Sequence, residues 1–368
     1  MNLSTNQRKI YLMAVTLLVA AVALASTWSL WTKPAAQSAA PVVTPAPAPA
    51  AESAPPVADA APVPGAEEEA DAPAASKVST IVYYQDGYGL LVPVMCRVPM
   101  QEGIAKATLG MMVQSVGNDM QAARLGLRTV LPENTTIDLD IHDGLARIDL
   151  SKEVLDMPDA AAESNMVNAI VQTLTEFESV DRVAFLIGGQ KLDKLTHGTG
   201  VAGEFTRGDI NLEAAEPTLA RSDAQPVTLY FPADSGAVIV PVTRMVHSRA
   251  DVNTAVMELA KGPANGDMLE SVVPAGCGLI DVKVQDRVAK LNFTNEFVDL
   301  VQNSDGGRLA LKALVLTCTQ FDGIDAVEIY VDGRKYDAGE LGVPSFMNVA
   351  DSIVYDAIQT QSAMIFEE

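Results

Sequence analysis

Cysteine and histidine are scarce, with three of each in 368 residues. No close pairing of them has the spacing of a metal site, so a zinc-type centre is not expected. Basic residues are also few. Lys and Arg total 25 against 47 Asp and Glu, a net charge of −22, and the pI is near 4.4. Binding to phosphate backbones needs clustered cations, so nucleic acid is excluded as a partner. An anionic membrane surface would repel the bulk of the chain.

What the chain does have begins with an apolar run. Arg8-Lys9 precede Ile10 to Leu24, and the run reads on through Ala25 to Trp28 and Trp31. About 20 apolar residues span a bilayer, Trp sits at its interface, and positive charge before the run stays inside. Residues 1–32 are therefore expected to be a cytoplasmic start and single-pass membrane anchor, with the bulk of the chain extracytoplasmic. The rival is a cleaved signal peptide, because Ala23-Leu24-Ala25 offers small residues in a cleavage-like pattern. No Cys follows the run, so a lipid anchor is not expected. Residues 33–78 are Pro, Ala and acid, including Pro45-Ala46-Pro47-Ala48-Pro49 and Glu67-Glu68-Glu69. Such a segment buries no core and favours an extended spacer.

Beyond it the chain repeats itself. Leu91-Val92-Pro93-Val94 returns as Ile239-Val240-Pro241-Val242, and Ile137-Asp138-Leu139-Asp140-Ile141 as Ile280-Asp281-Val282-Lys283-Val284. Thr175 to Val183 returns as Thr319 to Val327 in the same order. The period is far longer than a solenoid unit, so each copy is read as a domain. The boundaries are 79–198 for repeat one, 199–224 for a polar, Gly-rich linker, 225–345 for repeat two, and 346–368 for a tail or short helix.

Each copy reads β-β-α-β-β-α-β, an α+β module with a mainly antiparallel sheet and two helices. The first helix of repeat one is expected from about Ile104 to Ser115, with a long loop over Met120 to Val130. Pro93 and Pro241 lack an N–H, which predicts a sheet edge or bulge. Ile137, Leu139 and Ile141 alternate with Asp138 and Asp140, then Ala146, Ile148 and Leu150 with Arg147 and Asp149, so one sheet face is buried and one wet. Met166, Val167, Ile170, Val171, Leu174 and Phe177 form a helical stripe that persists as Ala310, Leu311, Leu314, Val315, Cys318 and Phe321. Each module thus leaves one sheet face and one Pro-bearing edge open to partners.

These motifs resemble the GerMN domain family, the sporulation and spore germination domain found in tandem in GerM-type proteins. Repeat two carries the closer likeness: Leu259-Ala260-Lys261-Gly262-Pro263, Val273-Pro274, and Val288-Ala289-Lys290-Leu291-Asn292-Phe293-Thr294. Repeat one has Leu131-Pro132 and Ala146 to Ser151 but lacks the Gly-Pro. The resemblance implies a membrane-tethered assembly protein of endospore formers. Its partners would be other proteins of the sporulation envelope machinery, ring or channel components among the candidates, or further copies of itself. It brings no catalytic residue, cofactor or metal.

The residues themselves agree with that reading. Cys318 falls in the helical stripe, which marks a buried small side chain. Cys96 ends an edge strand and Cys277 sits in a turn; a Cys277–Cys318 bridge stays open as an alternative. His142 and His197 read as exposed turn residues, and nothing marks His247 as a base for a thiol. Asp138, Asp140 and Asp149 read as a solvated face. Arg182-Val183, Lys191-Leu192-Asp193 and Lys335-Tyr336-Asp337 flank the last strands as interface candidates. No catalytic, cofactor or metal residue is assigned, and the chain is read as a non-enzyme. The alternatives are a ligand-binding module of the envelope or an accessory domain of peptidoglycan remodelling.

Overall fold

The computed structural model describes residues 77–213, 224–302, 304–337 and 347–350, and the side chains of all of these but 300–306. The anchor over 1–32, most of the spacer and most of the tail lie outside the described residues. Among the described residues no helix is long and apolar enough to cross a membrane.

Repeat one opens with an antiparallel ribbon, β1 (Lys77–Gln85) against β2 (Leu91–Pro99). Two short helices follow, α1 (Ile104–Gly110) and α2 (Val116–Ala123). A second sheet holds β3 (Ile137–His142), β4 (Leu145–Leu150) and β5 (Arg182–Ile187) in that order. β3 and β4 form an antiparallel hairpin. β5 pairs parallel to β4, because α3 (Ala160–Leu174) carries the chain back between them. Asp159 caps α3 by accepting from the Ala162 N–H.

Repeat two follows the same order. β6 (Gln225–Pro232) and β7 (Ile239–Val246) make its ribbon, and α4 (Val252–Ala260) follows. β8 (Leu279–Gln285), β9 (Val288–Phe293), β10 (Ala326–Val331) and the short β11 (Arg334–Lys335) form its second sheet. α5 (Phe297–Gln302) and α6 (Ser304–Thr319) connect β9 to the parallel β10.

The alternating strands behave as their pattern predicts. Ala146, Ile148 and Leu150 are almost wholly buried, and so are Ala289, Leu291 and Phe293, while Asp138, Asp140 and Arg147 stay exposed. The α3 stripe buries Met166, Ile170 and Leu174. One helix departs from expectation. The single helix read from Ile104 to Ser115 stops at Gly110, and α2 begins at Val116 and runs into the start of the expected loop. The chain breaks because Val113 pairs with Leu131 and the Gln114 N–H donates to the Leu131 carbonyl. The Asn118 carboxamide then binds the Gly110 and Val113 carbonyls, satisfying the helix end.

One buried threonine in each repeat joins its second long helix to its first strand. Thr173 accepts from the Tyr83 N–H at 3.1 Å, and Thr317 from the Tyr230 N–H at 3.3 Å. Both threonines are completely buried. Tyr83 faces Pro93 and Tyr230 faces Pro241 in the ribbon registers. At these pairs the backbone groups point outward, so the missing proline N–H removes no ladder bond.

Candidate functional site at the junction of the repeats

The two ribbons meet along β2 and β7, and this explains a burial pattern that alternation does not. Leu91, Val92, Pro93 and Val94 are all buried, as are Ile239 through Thr243. Burial on both faces is the signature of an inner strand. Two short segments complete it. The stretch 210–213, after repeat one, pairs with β7: Leu212 bridges Thr243, and the Glu213 N–H donates to the Thr243 carbonyl at 2.9 Å. The stretch 347–350, after repeat two, pairs with β2: Val349 bridges Met95, and the Ala350 N–H donates to the Met95 carbonyl at 3.0 Å. Each repeat's trailing strap therefore lies on the other repeat's ribbon.

Each strap carries an asparagine that works like a backbone group. The Asn211 carboxamide accepts from the Leu91 N–H and donates to the Leu91 and Pro241 carbonyls, at 2.8, 2.8 and 2.7 Å. The Asn348 carboxamide accepts from the Ile239 N–H and donates to the Ile239 and Pro93 carbonyls, at 2.8, 2.8 and 2.9 Å. Leu91 and Ile239 are counterparts in the duplication, and so are Pro93 and Pro241. The pattern is reciprocal.

This overturns the expectation of an open Pro-bearing edge on each repeat. The outward backbone groups of β2 and β7 are taken by the straps, since a buried unpaired N–H or C=O is costly. The segment 199–213 is likewise more than a connection, because Phe205 pairs with Val183 and packs edge-on against Phe185. Residues 347–350 are extended and turn-like, not helical.

Two ion clusters pin the first strap. Arg244 binds both Glu213 oxygens, at 2.6 and 3.1 Å, and reaches Glu258 at 3.4 Å. Burial works against the Arg244 charge; Glu213 and Glu258 outweigh it, so its pKa lies above the usual guanidinium value. Nearer the start, Arg207 donates to the Tyr83 hydroxyl at 2.7 Å and pairs with Glu176. The Tyr83 hydroxyl donates to Glu176 at 2.8 Å. Burial, then the Glu176 charge, pushes the Tyr83 pKa well up. Cavities of about 310 and 350 Å³ flank the strap. Asn165, Asn168 and Met268 help line the first; Tyr83, Tyr230 and Arg207 help line the second.

The residues singled out in the sequence are dispersed. Cys318 is buried, and burial pushes its thiol up to about 12. Cys96 is buried and Cys277 half-buried, and Cys277 and Cys318 are not bridged. His142 is exposed at its hairpin tip, 3.1 Å from Asp143. His197 is exposed too, with its N–H on Glu163 and its ring on the Met157 carbonyl. His247 is exposed at the end of β7. Arg182 pairs with Glu204, and Lys335 with Glu328. Lys191 and Asp193 lie on the exposed loop after β5. Sequence reasoning missed the two asparagines. The signal was present as Ile210-Asn211-Leu212 and Met347-Asn348-Val349, each an Asn between apolar residues at the end of its repeat.

Known proteins resemble this chain. The Germane family, described as "Sporulation and spore germination", matches residues 81–193 and 228–337. The chain is 29% identical over 289 residues to the spore germination protein GerM of Bacillus subtilis (strain 168), covering 75% of this chain and 78% of that protein. The solved tandem GerMN domains of that sporulation protein superpose with a TM-score of 0.60 at 29% identity, covering 74% of this chain and 99% of theirs. With both repeats matched in order, the chain belongs to the Germane family of sporulation and spore germination proteins.

Proposed function

We propose that this protein is a non-enzymatic scaffold, tethered by residues 1–32 with its bulk outside the cytoplasmic membrane, and that it recruits proteins of the sporulation envelope machinery. The observation that carries this reading is the reciprocal strapping of the repeats. It holds two outward sheet faces in one fixed relation, one bearing Asp138, Asp140 and Arg147, the other Lys283, Lys290 and Glu328. A binding protein needs such a rigid display; the relative's name, a spore germination protein, supplies the process.

The test compares two sets of variants in sporulating cells. Asp140→Lys with Arg147→Glu, or Lys283→Glu with Lys290→Glu, is expected to weaken capture of partner proteins and lower the yield of germinating spores without unfolding the protein. Ala substitution of His142, His197, His247, Cys96, Cys277 or Cys318 is expected to leave both intact wherever the variant folds. One folded His or Cys variant that abolishes function alone would point to chemistry instead. Fractionation tests the tether: the protein is expected to stay in membranes through a high-salt wash, whereas a soluble form beginning near Ser26 would make the segment a signal peptide.

The cavities at the junction support a second reading, a module for a small envelope ligand. Its lining of Tyr83, Tyr230, Arg207 and Glu176 offers aromatic faces and both charges. Loss of function on filling it by Thr228→Trp, with the outward faces untouched, would favour that reading.

A further inference from the structure

The junction is close to two-fold, and its two halves differ in chemistry where each strap runs on past its bridge to the other repeat's strand. Leu212 sits on Thr243 as Val349 sits on Met95. One residue further along each strap stands Glu213 in the first and Ala350 in the second. One residue further along each strand stands Arg244 in β7 and Cys96 in β2. The first combination is an ion pair with both side chains about seven-eighths buried: 10% of Glu213 and 15% of Arg244 are exposed. The Ala264 N–H adds a third bond to Glu213 at 3.0 Å. The second combination sets Ala350, bonded to the Met95 carbonyl, beside the buried Cys96.

A self-complementary surface of this kind accepts a second copy of the same repeat as readily as its neighbour in the chain, unless something distinguishes them. Two copies of repeat one, paired through this surface, would set Glu213 against the other copy's Cys96. A carboxylate would then be buried with no cation. Two copies of repeat two would set Ala350 against Arg244, leaving the guanidinium only its own repeat's Glu258 at 3.4 Å and the Glu258 and Gly262 carbonyls. Repeat one with repeat two is the pairing that gives Glu213 a cation and Arg244 its two-oxygen carboxylate partner. Leaving a buried charge unpaired costs much more than the completed pair contributes, so the discrimination comes from what the wrong pairings lose.

We propose that the strap-and-strand surface recognises another GerMN repeat in trans, and that the Glu213–Arg244 pair is the specificity element that makes repeat one choose repeat two. The covalent connection is then dispensable for pairing, and the chain is a dimer of repeats written into one sequence. The inference stands on the junction alone and does not depend on the proposed cellular role.

The experiment uses the full chain with a protease site placed in residues 214–223, folded first and cut afterwards. The halves of the wild-type protein are expected to remain one heterotypic pair by native mass spectrometry. When cut protein is mixed with isotope-labelled cut protein, halves are expected to exchange only into heterotypic pairs. The Glu213→Ala/Arg244→Met protein, treated identically, is expected to raise the fraction of homotypic pairs by at least about tenfold. Glu213→Gln, which keeps the volume and removes the charge, is expected to do so by a smaller factor and guards against misfolding of the double variant. Arg287→Ala, which breaks an exposed ion pair away from the junction, is expected to change nothing. Wild-type halves that separate on cutting would overturn pairing in trans. Purely heterotypic pairs in both junction variants would overturn the assignment of specificity.

Discussion

The two repeats keep the same backbone bonds and differ in their charges. Thr173 and Thr317 serve the same N–H, and Asn211 and Asn348 the same carbonyls, although the segments around them have diverged. The hairpin between the third and fourth strands of each repeat shows the other tendency. In repeat one the turn uses Gly144 at φ 74°, with the Asp181 carboxylate lying where a Cβ would point. In repeat two the same place holds Arg287 at φ 63°, a conformation that is unfavourable for a side chain. Its guanidinium reaches round to grip Asp325, the counterpart of Asp181. The difference teaches that duplication kept what closes buried backbone groups. What faces water was free to find a new solution, because an exposed ion pair is worth only about 0–1 kcal/mol.

The largest way to break the symmetry is at the straps. Replacing either asparagine by leucine leaves one N–H and two carbonyls without partners, at about 1–3 kcal/mol for each buried group. The two sites are not expected to respond equally. Asn348 is 6% exposed, and among the described residues of the second strap, Met347 to Ala350, no side chain is charged. Asn211 is half-buried, and Glu213 still grips Arg244 after its loss. Asn348→Leu is expected to lower the melting temperature by roughly 6–12 °C, taking about 3 kcal/mol and about 2–4 °C per kcal/mol. Asn211→Leu is expected to cost about half as much by the same reasoning. Thermal unfolding followed by circular dichroism checks both, and equal losses would show that the ion pair adds nothing to the strap.

A smaller and equal effect is expected at the buried threonines. Thr173→Val and Thr317→Val conserve shape and remove only the hydroxyl that accepts from Tyr83 or Tyr230. Each leaves one buried N–H unpaired, at about 1–3 kcal/mol. Denaturant unfolding of the two variants is the measurement. Losses within about 0.5 kcal/mol of each other would support equivalent roles. A single transition in both would show that the straps have merged the repeats into one cooperative unit.

How much of this was legible depended on distance along the chain. The alternation of Ile137, Leu139 and Ile141 and the stripe from Met166 to Leu174 report local periodicity, and both strands and helix appear where they predict. The two prolines predict an open edge, and the straps close it. What covered that edge was not readable, because Asn211 lies 120 residues from Leu91 and Asn348 lies 255 from Pro93. Pairing over such separations leaves no periodic trace. The end of α1 was missed for a related reason. Ile104 to Ser115 is apolar enough to continue as helix, but a tertiary pairing of Val113 with Leu131 ends it. At the surface, Asp138, Asp140 and Arg147 were read as a wet face, and they are exposed.

The smallest effect sharpens the comparison through pH. Glu163 is completely buried in the first turn of α3, and its counterpart in α6 is Gly307. Burial by itself would raise the Glu163 pKa. The His197 and Thr199 N–H groups, the Thr199 hydroxyl and the His197 charge together reverse this, so its pKa lies below the ordinary 4.5. The sign follows from proton counts. In the window between its folded pKa and the ordinary value, the unfolded chain binds more protons than the folded one, so stability rises with pH. The contribution is fully present above the ordinary value and is lost as pH falls through the folded pKa. Repeat two has no such carboxylate at that position. Acidification from pH 6 towards pH 3 is therefore expected to loosen the 196–199 loop and α3 before the matching part of repeat two. Hydrogen exchange read at the His197 and Thr199 amides, which donate to Glu163 at 2.7 and 3.2 Å, follows this directly. Glu163→Gln is expected to remove the pH dependence at those two amides and leave repeat two unchanged. Loops that opened in both repeats at the same pH would mean that the acid response belongs to the whole chain and its net charge, not to this carboxylate.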